Sequence, residues 1–157
     1  MSEKEFLILI EENQKIIYKL VHLYASSEED KKDLYQEIVL QSWKGFQKYK
    51  RESKFSTWLY KVCLNTIFTI KKQEKKFEYA DSNVVSEKLA THSNNEDGER
   101  LKKAIKSLPE TERAILTLSL DGYDNGEISE ILGISSNLVG VKTFRAKQHL
   151  SSLLKDI

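Results

Sequence analysis

Apolar residues recur along this chain at helical spacing, in two blocks separated by a stretch where the rhythm stops. Residues 6–24 place Phe6, Ile10, Ile17, Leu20, Val21 and Tyr24 largely on one stripe, which predicts one amphipathic helix. Ser27 with Asp30 three residues on reads as a capping signal for a second helix, running to about Tyr49. It carries Leu34, Ile38, Gln41 and Gly45 along one row, with Trp43 and Phe46 near its end. Residues 50–54, KRESK, form a polar connector. A third helix, from Phe55 or Ser56 to Lys76, carries Trp58, Leu59, Val62, Ile67 and Ile70 and closes on the polar tail KKQEKK.

Between Phe77 and Gly98 the pattern fails. The run ADSNVVSEKLATHSNNEDGE is polar, acidic and without sustained periodicity, which predicts a flexible linker in which SEKLA could form a helical turn. Order resumes near residue 99, where Leu101, Ile105 and Leu108 share a face. Ser107 to Glu110 reads as a capping box with Pro109 inside the first turn. The helix it opens runs to about Leu120 and buries Ile115 and Leu118, with Gly122 as its stop. Asp124 and Glu127 form a second capping pair for a short helix, Asn125 to Leu132, that ends at Gly133. The last helix starts near Ser135 or Ser136 and places Val139, Thr143, Ala146, Leu150 and Leu153 on its buried face. No strand-like alternation survives beyond a few residues. The expected fold is all α: two small helical domains, residues 1–76 and 99–157, joined by a flexible acidic linker over 77–98.

Residues 127–147, EISEILGISSNLVGVKTFRAK, then look like two helices around a glycine turn, the arrangement of a helix-turn-helix reader of DNA. With Val139, Thr143 and Ala146 inward, Asn137, Val141, Phe144 and Gln148 point outward, flanked by Lys142 and Arg145. An outward Val and Phe either pack on another part of the protein or enter a major groove. There they meet thymine methyl groups while the basic pair reaches guanine edges or phosphates.

Composition changes this picture through charge. The formal net charge is only +1, whereas a free-standing DNA reader usually draws affinity from surplus Lys and Arg. Near-neutrality hides segregation. Residues 1–43 carry a net of −4, residues 44–76 a net of +8, residues 77–98 a net of −4 and residues 99–157 a net of +1. A basic block between acidic ones suits a polyanion on one side and a different partner on another. The single cysteine, Cys63, excludes an internal disulfide and gives no metal-site spacing. His22, His92 and His149 lie in different segments and no phosphate-binding glycine loop occurs, so neither an enzyme nor a bound cofactor is expected. The apolar run near the N-terminus is too short for a signal peptide or a membrane span, so the cytoplasm is the default location and no membrane insertion is expected.

DLYQEIVLQSW at 33–43, FSTWLYKVCLN at 55–65, LPETER at 108–113 and the helix-turn-helix follow one another in a telling order. Together they resemble the small alternative sigma factors of bacterial RNA polymerase, the extracytoplasmic-function group of the sigma-70 family. The resemblance covers residues 3–76 and 99–155. It implies a protein that docks on core RNA polymerase and recognises promoter DNA, with an anti-sigma factor as a possible further partner. It implies docking of the second helix on the polymerase clamp through Asp33, Leu34, Gln36 and Glu37. It implies recognition and opening of the −10 element by the third helix and the connector before it: Lys50, Arg51, Lys54, Phe55, Trp58, Lys61 and Asn65. Tyr49 and Tyr60 are further flat surfaces for unstacked bases, Trp58 serves either that role or the core, and Lys71, Lys72, Lys75 and Lys76 read as phosphate contacts. The −35 element would fall to Asn137, Val141, Lys142, Phe144, Arg145 and Gln148. Many members of the family have Thr-Val-Lys-Ser-Arg where this chain has Leu138-Val139-Gly140-Val141-Lys142, so the family's base preference is not carried over. The competing reading is a stand-alone helix-turn-helix regulator, which would bind a palindromic site without polymerase.

Overall fold

The computed structural model describes residues 2–80 and 96–155, with side chains over 2–76 and 98–155. Its contacts divide the chain into two compact units, Met1–Ala90 and Thr91–Ile157. The described residues form helices and no strand, as the helical spacing requires.

The first unit holds α1 (Glu3–Glu12), α2 (Gln14–Tyr24), α3 (Glu28–Phe46) and α4 (Phe55–Ala80). The single helix expected over residues 6–24 is in fact two. Asn13 breaks it with φ −116° and ψ 16°, and its side-chain amide donates to the Leu9 carbonyl at 2.8 Å. A side chain that competes locally for backbone partners weakens helix propagation at that point. The apolar stripe runs on across the break, because Phe6 and Ile10 of α1 and Ile17, Leu20, Val21 and Tyr24 of α2 are all buried.

Ser27 caps α3 as its spacing predicts, its hydroxyl accepting from the Asp30 N–H at 3.0 Å. The helix ends at Phe46 rather than Tyr49. Tight bonds from Lys48 N–H to the Gly45 carbonyl and from Tyr49 N–H to the Phe46 carbonyl turn the chain there. Tyr49 folds back onto the Phe46 and Trp58 rings, with centroids 6.2 and 5.1 Å away. Ring packing outweighs one more helical turn. α4 packs on α2 and α3, and Leu34, Ile38, Phe46, Leu59, Leu64 and Ile67 fill the centre. α4 runs on to Ala80, past the expected end at Lys76, since neither glycine nor proline interrupts KKFEYA. The rest of the expected linker, up to residue 95, lies outside the described residues.

The second unit holds α5 (Glu96–Lys106), α6 (Glu110–Leu120), α7 (Asn125–Leu132) and α8 (Ser136–Lys155). The expected capping box at Ser107–Glu110 does not form. Pro109 is the N-cap of α6 and makes no side-chain cap bond, while the Ser107 hydroxyl donates to Ala104 in the helix behind it, at 2.7 Å. Ser107 thus closes α5 instead of opening α6. Ala104, Ile105 and Leu108 face the core, but Leu101 is 40 % exposed. Leu153 is likewise exposed, because every described residue of α8 beyond Leu150 is exposed and the helix has run past the core. Ala114, Ile115, Leu118, Ile128, Ile131, Val139 and Ala146 form that core.

Candidate nucleic-acid interface

In the second unit, local chemistry aims the last helix. The Asp124 carboxylate accepts from the Glu127 N–H at 2.8 Å, and the Glu127 carboxylate accepts in return from the Asp124 N–H at 3.2 Å. This complete capping box starts α7. Gly133, at φ +69°, closes it in a left-handed conformation that a side chain would strain. The Ser135 hydroxyl accepts from the Leu138 N–H at 3.1 Å, and α8 begins. Val139 and Ala146 are fully buried against the unit, which turns the opposite face outward.

On that face Asn137, Val141, Phe144, Arg145 and Gln148 stand outward, as the periodicity requires. A shallow groove along α8 gathers Asn137, Val141, Phe144, Arg145 and Gln148. Val141 is 47 % and Phe144 63 % exposed, so neither packs elsewhere in the described residues. Lys142 is half-buried and stands outside the groove. The periodic reading missed Asn125 and Ser136, which also line the groove. A turn that sets the start of α7 beside the start of α8 would have pointed to both. It also missed the tie between helices, where His149 Nδ1 of α8 lies 2.9 Å from a Glu112 carboxylate oxygen of α6.

In the first unit, Lys50, Arg51 and Lys54 of the α3–α4 connector are exposed. Arg51 takes φ 59°, a left-handed conformation unusual for a residue with a side chain. Its guanidinium donates to the Glu5 carboxylate of α1 at 2.6 Å, and that bond holds the Glu5 carboxyl below its ordinary range. Lys61 and Asn65 share one exposed stripe of α4 with Lys72 and Lys76. Phe55 and Trp58 are half-buried, their centroids 5.3 Å apart, and the Trp58 ring covers Gly45. Both therefore serve the aromatic cluster and still show an edge to solvent.

Three expected contacts are overturned here. Tyr49 is buried, and its hydroxyl donates to the Ser53 carbonyl, which pins the connector. Tyr60 is buried too, its hydroxyl 2.6 Å from the Lys19 ammonium. Neither offers a face to a base. Lys71 is no free phosphate contact, since it pairs with Asp30 at 2.8 Å and both side chains are nearly enclosed.

The α3 surface adds a further correction. Asp33 and Gln36 are exposed and Glu37 is half-buried, its carboxylate accepting from Gln41 at 2.8 Å. Leu34 is only 1 % exposed. It lies on the same buried row as Ile38, so the patch is acid–amide–acid without an apolar member. Beside it runs an apolar groove between α1 and α3, lined by Phe6, Leu7, Tyr35, Val39, Leu40 and Trp43, with Gln36 and Glu3 at its edge. The signal for that groove was Leu7 and Leu40, apolar residues off the buried rows, and both are exposed.

Among the described residues no group of three or more His, Cys, Asp or Glu is placed to hold a metal ion. No described helix is long and apolar enough to cross a membrane.

Comparison with known proteins matches residues 9–77 to sigma-70 region 2 and residues 98–150 to sigma-70 region 4. The chain is 27 % identical to the ECF RNA polymerase sigma-E factor of Escherichia coli strain K12, across 99 % of this chain and 90 % of that one. Its fold is similar to that of the sigma factor RpoE from Bartonella quintana, solved in complex with the anti-sigma factor NepR. There the TM-score is 0.78 and the identity 19 %, over 98 % of this chain and 96 % of that one. It is similar also to CnrH, solved with the cytosolic domain of CnrY, with TM-score 0.70 and 19 % identity over 99 % and 90 %. Two regions of one family, matched in order on two separately cored helical units, place the chain in the sigma-70 family.

Proposed function

We propose that this chain is an alternative sigma factor, which binds core RNA polymerase, directs it to promoters and starts transcription. One observation carries the reading: a sigma-70 region 2 unit with a basic connector precedes a region 4 unit whose last helix presents an outward reading stripe. Docking falls to α3, where Asp33, Gln36 and Glu37 stand within about one helical turn and suit a basic partner surface. The neighbouring apolar groove, with Leu7 and Leu40 exposed, adds area to that surface. The −10 element falls to Lys50, Arg51, Lys54, Phe55 and Trp58, with Lys61 and Asn65 on α4. The −35 element falls to Asn137, Val141, Phe144 and Gln148, with Lys142 and Arg145 on phosphates.

This division resolves the charge puzzle. A subunit that borrows its electrostatics and all of its catalysis from the polymerase needs no large surplus of cations, and a net charge of +1 suffices. It performs no covalent chemistry itself and acts in the cytoplasm, where polymerase and promoters are. An anti-sigma factor is a natural further partner, because a solved relative was captured with one. A stand-alone helix-turn-helix regulator would account for residues 98–150 but leave the match over 9–77 without a role.

Run-off transcription from genomic fragments, with core polymerase alone and with this chain added, tests the proposal. New start sites that depend on the chain are expected. Identical transcripts in both reactions would rule it out.

A further inference from the structure

Gly140 lines the groove on α8, where nothing among the described residues calls for a glycine. A Cβ at Gly45 would press on Trp58 at 3.2 Å, and one at Gly126 would meet the Asp124 carboxylate at 3.3 Å. Gly122 and Gly133 have positive φ. Gly140 has neither reason, since among the described residues a Cβ there would meet no further atom within 4 Å beyond its chain neighbours and its own helix backbone, and its φ is not positive. Glycine weakens a helix interior relative to alanine, so the notch it leaves points outward, to something the helix touches.

We propose that α8 selects an A·T pair in the upstream promoter element, seating a thymine methyl group in the Gly140 notch between Val141 and Phe144. The proposal rests on the reading of α8 as the upstream reader and names the base that it prefers. Val141 and Phe144 follow Gly140 by one and four residues and line the same groove, where the space a Cβ at Gly140 would take is open and both apolar side chains are exposed. In a major groove the one apolar group that a base pair presents is the thymine methyl. A G·C pair would set polar edges against these two side chains and leave them unpaired. Asn137 and Gln148 lie at the two ends of the same stripe. Their amides match the adjacent donor and acceptor of adenine. Arg145 is the cation of the groove, and one step round the helix from Phe144 it suits a backbone phosphate.

The test uses the full chain with core RNA polymerase and a duplex library randomised over the upstream element. Selected duplexes are then remade with uracil for each thymine in turn, which removes only the methyl group. The selected set should carry thymine at the position that Phe144→Ala relaxes. Uracil there should weaken binding about fourfold, the factor carried by one buried methyl-sized group. Phe144→Ala should bind the thymine and uracil duplexes alike. Gly140→Ala should melt at a higher temperature than the natural chain, because it strengthens the helix, yet lose the thymine preference because its Cβ fills the notch. That pairing separates a filled notch from a damaged fold. Equal binding of thymine and uracil by the natural chain, or selection of G·C at that position, overturns the proposal and leaves the sigma-factor reading intact. No selection of any upstream sequence would overturn both.

Discussion

Asp30 and Lys71 show how one contact decides what a basic helix offers to DNA. Spacing alone sends Lys71 to a phosphate, yet its side chain and that of Asp30 are 12 % and 13 % exposed and 2.8 Å apart. Burial pushes the Asp30 carboxyl up, but Lys71 and the Ser26 N–H and hydroxyl that donate to it hold it below its ordinary value. Burial likewise pulls the Lys71 ammonium down, and the Asp30 and Glu74 carboxylates lift it above its ordinary value. Both therefore remain charged at neutral pH. A carboxyl whose folded pKa is depressed stabilises the fold fully above its unfolded pKa, and that contribution is lost as pH falls through the folded value. The lysine's contribution is lost only at the alkaline end, as pH rises through its raised folded value. Asp30→Asn should thus destabilise the first unit by about 2 kcal/mol at neutral pH, between a surface pair and a fully buried one. The gap from the natural chain should close in acid, once pH has fallen through the folded value of Asp30. Tryptophan fluorescence during urea unfolding reports this unit alone, since Trp43 and Trp58 both lie in it. A gap of the same size at both pH values would disprove the linkage. Cys63, fully buried, has its thiol pushed up to about 12 by burial. It should react with a thiol reagent only as that same unfolding transition proceeds, and fast labelling of the native chain would show that the site opens locally.

At the scale of elements, the clearest consequence concerns α3. Asp33 is exposed and Glu37 half-exposed, and neither side chain contributes to the core. Asp33→Lys with Glu37→Lys should lower affinity for core polymerase more than about tenfold, because like charges would face the partner, while the far-ultraviolet circular dichroism stays unchanged. Core affinity within twofold of the natural chain would remove α3 as the docking face. The same helix marks how far the sequence could be read. The start of α3 and both ends of α7 were legible because their signals are local: Ser27, the Asp124–Glu127 pair and the left-handed Gly133 each act within one turn. The failures at Leu34, Tyr60 and Ser107 are decisions made by distant or competing partners. Leu34 satisfied the docking motif and the buried row at once, and only packing shows that the core takes it. Tyr60 looked like a base-stacking platform until its ring lay fully buried with its hydroxyl beside Lys19 of α2. Ser107 had two helices within reach, and the one behind it won. The outward placement of Val141 and Phe144 on α8 was legible because Val139 and Ala146 fix the inner face of the helix.

The molecule as a whole is two units, each with its own buried centre: Ile17, Leu20, Ile38, Leu59 and Ile67 in one, Ile115, Leu118, Ile128 and Val139 in the other. No residue of either list belongs to both, so each unit should fold when made separately as residues 1–90 and 91–157. The second is near the size at which one core gives only a few kcal/mol, and it should be the less stable of the pair. Joined in one chain, the two DNA readers share a covalent tether, so once one is engaged the other faces its element at an effective concentration in the millimolar range. Separated, each must find the polymerase–promoter complex independently. A mixture of the two halves at micromolar concentration should therefore support run-off transcription about a hundredfold more weakly than the intact chain, and raising the concentration of the second half should restore part of the loss. Circular dichroism of each half keeps the experiment interpretable, because both must be helical before the comparison counts. Intact-level transcription from the mixed halves would mean that the covalent link contributes nothing, and that the two units are brought together by the polymerase alone.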